Sequence, residues 1–430
     1  MLGDPGGDQN LLSAQRWGLV LPQGQDMAPI LQELEPLLNL RARQQGANVR
    51  CYVVPVGLDG VQAHDWCERN YGHDGTAEYE RPRYLLMLGG FEGLSLALQQ
   101  ALSTRAYVGR LAFEQVEDYG HYARKVCQWA QREGAAEAEV LLFSAKDGTS
   151  ETRLGHLELV EPCHQHLRQA VDARRLSLAE LRGPDTLGYG PEDFLDATHT
   201  TRPAVLLSMS HGLGASAGGW ESAQAQQALQ GAMRFSARRR ICGEDVQDRS
   251  FLPGGFWLYF ACFGAGMPAV SPYLSWLEQL RSMDTEKDMV DRVLRNLNGP
   301  APRPFMAALP QKALANPKGP LGVIAHVDLA WDSSFRAASP SNAGSPSRAS
   351  RFSTPLMDLA RGRRVGIAAR QLTSECANIE PVLVDLHEAR DQGRDVDHME
   401  MADLTLMRQD LRAFILLGDP AARLPLEPDV

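Results

Sequence analysis

Short apolar runs bounded by glycine or proline alternate along this chain with stretches of helical spacing, the pattern of a parallel sheet with crossover helices. Residues 17–22 (WGLVLP), 49–56 (VRCYVVPV), 83–89 (RYLLMLG) and 107–111 read as four strands. Between the first two, residues 27–45 bring Ile30, Leu31, Leu34, Leu37 and Leu38 to one helical face, and Pro36 predicts a kink or a split there. Residues 118–133 bring Tyr119, Tyr122, Ala123, Val126, Cys127 and Ala130 to one side of an amphipathic helix. A smaller amino-terminal α/β subdomain, residues 1–134, closes near Gly134, and residues 135–430 form the larger unit.

A second alternation begins at Ala138. Residues 139–144 (EVLLFS), 204–211, 255–262, 321–329 (LGVIAHVDL) and 413–417 (AFILL) read as strands. Residues 157–174, 222–240, 273–297, 305–315 and 358–379 read as helices, 404–410 as a weak one and 187–195 as irregular. The segment 222–240 carries Arg238, Arg239 and Arg240, expected as a solvated helix end. Residues 337–354 are rich in Ser, Ala, Pro and Arg and predict a mobile surface loop. No internal repeat is visible.

Two of the strands end in reactive side chains. The run AVLLSMSHG delivers His211 and then Gly212, and GFWLYFACFGAG delivers Cys262 and then Gly264 and Gly266. Open α/β sheets present their chemistry at the carboxyl ends of strands. A cysteine attacks an amide as thiolate, and a nearby imidazole both assists the thiolate and protonates the leaving amine. The oxyanion that forms needs unhindered backbone N–H donors, which Gly212 and the amide of Cys262 can supply. His precedes Cys by about 50 positions, the order and interval of caspases, and Ala261-Cys262-Phe263-Gly264 matches the Ala-Cys-x-Gly of their signature but lacks its Gln.

On these residues the sequence resembles caspase-like cysteine peptidases of the gingipain-related and CHAT-domain type (clan CD). A strand like residues 320–332 (PLGVIAHVDLAWD) and a last strand followed by Gly418-Asp419-Pro420 extend the resemblance, and upstream RYLLMLGGFEG (83–93) and YVGRLAFEQVEDYGHYARKV (107–126) resemble the gingipain-like amino-terminal subdomain, so that it covers nearly the whole chain. It implies an α/β fold with a caspase-like, mostly parallel sheet flanked by helices. It also implies Cys262 as nucleophile, His211 as general acid/base, and Gly212 with Cys262 as oxyanion donors. Phe263 departs from the smaller residue common at its position. The loop after the first strand of the catalytic sheet lines the substrate pocket in this family. Here it carries Asp147 and Thr149, and a carboxylate there favours Arg or Lys before the cut. Asp328 and Trp331 follow the strand along which family members hold the peptide.

Composition narrows the class. Apolar residues make up 44% and charged residues 22%, with a net charge of −10, which argues against a nucleic-acid or anionic-membrane partner. No apolar run is long enough to span a membrane, and the first residues lack a secretory pattern, so a cytoplasmic location is expected. Seven scattered cysteines with no C-x-x-C pair speak against a disulfide framework or a zinc site. His164 and His166 read as a helix face, and His326 as a core histidine that is the rival base. The expectation is a cysteine endopeptidase with a protein or peptide substrate and neither metal nor organic cofactor. The resemblance adds restrained activity, an activating or pore-forming partner, and a bacterial antiviral-defence or cell-death setting. The alternative is a catalytically idle caspase-like interaction module.

Overall fold

The computed structural model describes residues 7–73, 75–282, 287–297, 299–336 and 348–427. The apolar runs form ten strands: β1 (Trp17–Pro22), β2 (Arg50–Val54), β3 (Tyr84–Leu88), β4 (Tyr107–Leu111), β5 (Ala138–Ser144), β6 (Leu178–Arg182), β7 (Ala204–Met209), β8 (Phe256–Phe260), β9 (Gly322–His326) and β10 (Phe414–Gly418). They make one sheet in the order β2-β1-β3-β4-β10-β9-β8-β7-β5-β6. Every pairing is parallel except β9 with β10. Burial explains the sequence pattern: all five residues of β3, β8, β9 and β10 are buried, as both faces of a mostly parallel sheet must be. Only β6 escapes the apolar pattern. It is a half-buried edge strand, LAELR, whose polar positions look outward.

The last strand joins the two halves. β10 lies between β4 and β9 and pairs with β4 only through Leu417 and Arg110. The approach is close enough that a Cβ on Gly109 would collide with the carbonyl oxygen of Gly418, which itself has φ 119°. Asp419, immediately after, is fully buried. Its carboxylate accepts from Arg41 Nε at 2.8 Å and Nη2 at 2.6 Å and from Trp17 Nε1 at 2.9 Å. Its own N–H donates to the Tyr122 hydroxyl at 2.6 Å. The Gly-Asp-Pro run is therefore the fastening between the carboxyl-terminal strand and the amino-terminal elements. A buried carboxylate is tolerated there because its oxygens are paired with a bidentate guanidinium and an indole N–H.

Several helices differ from their sequence reading. Residues 27–45 split into Ala28–Glu33 and Glu35–Gln45, with Pro36 in the first turn of the second, where its missing N–H costs nothing. Of residues 187–195, expected as irregular, those from 191 on belong to the helix Pro191–Ala197. Residues 222–240 are helical only over Ala223–Leu229; Gly231 at φ 82° turns the chain into Met233–Arg234 and Arg240–Ile241 of a three-stranded ribbon. The Arg238–Arg240 patch is thus a ribbon tip rather than a helix end. Residues 358–379 belong to three helices, Ser350–Ala360, Val365–Thr373 and Cys376–Asp391, the first two separated at Gly362, φ 76°. Of the expected loop 337–354, residues 337–347 lie outside the described residues, and Ser350 already starts a helix that buries Phe352, Leu356 and Leu359. The weak helix at 404–410 is the centre of a longer one, His398–Arg412.

Candidate active site

The register of the sheet brings the two reactive residues together. Met209 at the end of β7 pairs with Phe260 at the end of β8, and Ser210 N–H donates to Phe260 O at 3.2 Å. Two residues on in each strand stand His211 and Cys262. A Cβ on Gly212 would run into the Cys262 carbonyl oxygen, so only glycine fits beside the nucleophile candidate. His211 and Gly212 leave the main sheet and pair with Arg234 and Met233 of the ribbon.

The turn after Cys262 is tight. Phe263 takes the left-handed conformation at φ 58° and its side chain is buried. Its N–H donates to Asp328 O at 2.6 Å, and Gly264 N–H donates back to Ala261 O at 3.2 Å. A positive φ thus falls on Phe263 and on Gly266, φ 144°, but not on Gly264 between them. A non-glycine residue with a positive φ costs on the order of 1 kcal/mol, and burial of the ring among Met267, Tyr273 and Leu277 offsets it. Among the described residues the Cys262 N–H donates to no backbone carbonyl, and it lies close enough to its own sulfur to favour the thiolate.

Each reactive group has a resting partner other than the other. The Cys262 sulfur accepts from Ala330 N–H at 3.4 Å. Burial pushes its thiol up to about 11, against the Ala330 N–H, which favours the thiolate, while the carboxylates of Asp328 and Asp410 push it further up. His211 Nε2 lies 3.0 Å from Thr149 Oγ1 and 3.9 Å from Asp147 Oδ2. Among the described residues no hydrogen bond joins imidazole and thiol.

The loop after β5 builds the imidazole's surroundings. Asp147 Oδ1 accepts from Thr149 N–H at 3.1 Å, Thr149 Oγ1 at 2.7 Å and Thr152 Oγ1 at 2.8 Å, a turn that needs Gly148 at φ 86° between them. Thr149 also caps the helix Ser150–Gly155. Since both threonine hydroxyls donate to Asp147, Thr149 Oγ1 accepts from His211 Nε2–H, and the lone pair of the ring is on Nδ1. Burial raises Asp147, but the hydrogen bonds from Thr149 and Thr152 outweigh it and hold the carboxyl below its ordinary range. His211 is held below its ordinary value by burial, with Asp147 and Glu151 pulling upward and Arg234 downward. Asp147 therefore faces the imidazole. Thr152, three residues beyond Thr149, completes the arrangement, and nothing in the sequence singled it out.

On the other side of the thiol, Asp328 is buried, at φ 81°, and accepts from Leu329 N–H at 2.8 Å. Its Oδ2 has no hydrogen-bond partner among the described residues. Burial lifts its pKa to about 6, against the nearby Ser271 hydroxyl and Leu329 N–H. Trp331 is half-buried and packs edge-on against Tyr273 and Trp276, ring centroids 5.6 and 5.5 Å apart. The Trp331 N–H donates to Asp410 Oδ1 at 3.1 Å, and Ser334 Oγ donates to the same carboxylate. His326, the rival base, is fully buried, with Nε2 hydrogen-bonded to Asp410 O at 3.0 Å and 3.0 Å from Asp410 Oδ1, away from solvent. Asp410 lies 84 residues beyond His326 in a weakly patterned helix, so nothing local marked it.

No family model and no curated protein matches the chain. Solved structures do share its fold. A structure described only as a protease matches with TM-score 0.53 and 11% identity, covering 97% of this chain and 79% of that one. The Arg-specific cysteine proteinase gingipain R matches with TM-score 0.52 and 10% identity over 98% of this chain and 80% of its own. The complex of the pro- and mature domains of RgpB from Porphyromonas gingivalis matches with TM-score 0.52 and 10% identity over 95% and 79%. The chain has the gingipain-type, caspase-like fold. At this identity the likeness is one of fold.

Proposed function

We propose that the protein is a cysteine endopeptidase that cleaves protein substrates through a thioester acyl-enzyme. The observation that carries this reading is the placement of His211 and Cys262 at the carboxyl ends of neighbouring parallel strands, with glycine alone admitted between them. His211 Nδ1 takes the thiol proton, Cys262 Sγ attacks the scissile carbonyl, and the N–H groups of Gly212 and Cys262 receive the oxyanion. The imidazolium then protonates the leaving amine, and water, deprotonated by the same imidazole, hydrolyses the thioester. Asp147, through Thr149, fixes the tautomer and stabilises the imidazolium.

The resting dyad is disengaged: a protonated thiol on Ala330 and a neutral imidazole on Thr149. This supports restrained activity, with substrate or a partner drawing the loop 328–334 away from the sulfur. With Asp147 Oδ1 held by Thr149 and Thr152 and Oδ2 turned toward the imidazole at 3.9 Å, a basic residue before the cut is met by Asp328, whose Oδ2 has no hydrogen-bond partner among the described residues. A defence setting and a pore-forming partner rest on the sequence resemblance alone. The test is Cys262→Ala with a library of quenched peptides. The reading requires cleavage by the native chain, enriched after Arg or Lys, and none by the variant. Cleavage unchanged in Cys262→Ala removes Cys262 as nucleophile. The idle-module alternative, favoured by the raised thiol, predicts no turnover of any peptide even when a physiological partner is added.

A further inference from the structure

A line of cations leads away from the candidate imidazole. In the three-stranded ribbon His211 pairs directly with Arg234, and Arg234 directly with Arg240. Directly opposed residues in an antiparallel pair share one face with Cβ atoms about 5 Å apart, and like charges placed so repel. The tip of the ribbon adds Arg238 and Arg239, whose N–H groups are held by Ser236 Oγ at 3.3 and 3.1 Å. Arg238, Arg239 and Arg240 are exposed. Among the described residues no carboxylate pairs with any of the four guanidinium groups. The carboxylates near His211, Asp147 and Glu151, come from the loop after β5 and not from the ribbon. In a chain of net charge −10, four cations on one short ribbon, with Asp193 near Arg239 but in no ion pair with it, are a local exception to the surface as a whole.

We propose that this ribbon is an exosite for an acidic segment of the polypeptide substrate, lying on the carboxyl side of the scissile bond. The proposal rests on the peptidase reading for its place in the reaction, because the group that protonates the leaving amine must flank the leaving half of the substrate. Strands are about 4.8 Å apart, so Arg234 and Arg240 lie about 5 and 10 Å beyond His211; an extended peptide advances about 3.3 Å per residue. Acidic residues about two to four positions after the cut therefore reach the ladder. Guanidinium groups pair carboxylates with two parallel N–H donors, which selects Asp and Glu over merely polar side chains.

The experiment separates the exosite from the chemistry. Two labelled peptides differ only in carrying Asp and Glu, or Asn and Gln, after a common cleavable core. Their binding to the full Cys262→Ala chain is read by fluorescence anisotropy at low and high salt. The acidic peptide is expected to bind about tenfold more tightly at low salt, from several exposed pairs acting together, with the gap closing as ionic strength rises. Arg238→Gln, Arg239→Gln and Arg240→Gln combined should bring the two peptides to equal affinity, while the melting curve reports that the fold is kept. Equal affinity for both peptides in the unsubstituted ribbon overturns the exosite, as does a preference that survives the triple substitution. Tighter binding of a single-stranded RNA of equal charge also overturns it. Cleavage by the native chain is scored separately: a salt-dependent acidic preference without turnover retains the exosite and removes the peptidase reading, and turnover without preference does the reverse.

Discussion

Replacing Asp147 by Asn keeps the oxygen that accepts from Thr149 and Thr152 and removes only the charge beside His211. The separation is 3.9 Å, with the Asp147 side chain 1% and the His211 side chain 28% exposed. Coulomb's law gives about 4 kcal/mol for that separation at an effective dielectric of 20, and about 1 kcal/mol in bulk water. The partly exposed ring places the real value between these limits. The imidazole of Asp147→Asn should bind its proton at least about fivefold more weakly, from the lower limit of about 1 kcal/mol. The sign follows from the surroundings. Burial already holds His211 below its ordinary value and the carboxylate opposes that, so removing the carboxylate lowers it further. Proton NMR titration of His211 in a Cys262→Ala background measures this directly. For the active chain, the acid limb of kcat/KM moves to lower pH while kcat falls about 10- to 100-fold as the ring loses its orienting charge. A midpoint that stays in place or moves upward refutes the assignment of Asp147 to the imidazole.

Other perturbations test other parts of the structure. Asp419→Ala leaves Arg41 buried without its partner and should cost about 3–5 kcal/mol in urea unfolding, the range for breaking a buried pair; a loss below about 1 kcal/mol would contradict the fastening role. Because the resting thiol titrates near 11, Cys262 should alkylate slowly at neutral pH and about tenfold faster per pH unit up to pH 10, read by mass spectrometry of its peptide. A plateau by pH 8 would show a preformed thiolate instead. Asp328, lifted to about 6 by burial, binds its proton more tightly folded than unfolded. Its contribution favours the fold below about pH 4 and is lost as pH rises through about 6. Asp328→Asn, which tolerates the left-handed backbone, should therefore be the more stable chain at pH 8, by about 3 kcal/mol, and close to the parent at pH 4. Gly212→Ala should abolish soluble folded protein or peptide turnover, since its Cβ meets the Cys262 carbonyl.

The site was legible where the chemistry sits on strand ends. An apolar run buried on both faces stops abruptly where the chain emerges, so His211 and Cys262 were marked by the runs before them. Thr149 and Asp147 were visible as a turn beside the first strand of that sheet. Their use was not, because which oxygen faces an imidazole 62 residues away depends on strand order. Asp410 and Tyr273 carried no local signal at all; one lies in a weakly patterned helix, the other before a helix whose partners come from a distant loop.

The sequence by itself determined the alternation of strands and helices and the two strand ends that carry His211 and Cys262, since each follows from local periodicity, whereas the burial of Asp419 emerged only in the fold. Tertiary structure alone decided the ribbon that Arg234 to Arg240 form in place of a helix, the single sheet that β10 closes between the two halves, and the resting partners of thiol and imidazole. Those outcomes depend on long-range packing and on competition for hydrogen bonds between segments remote in the chain, which local periodicity does not encode.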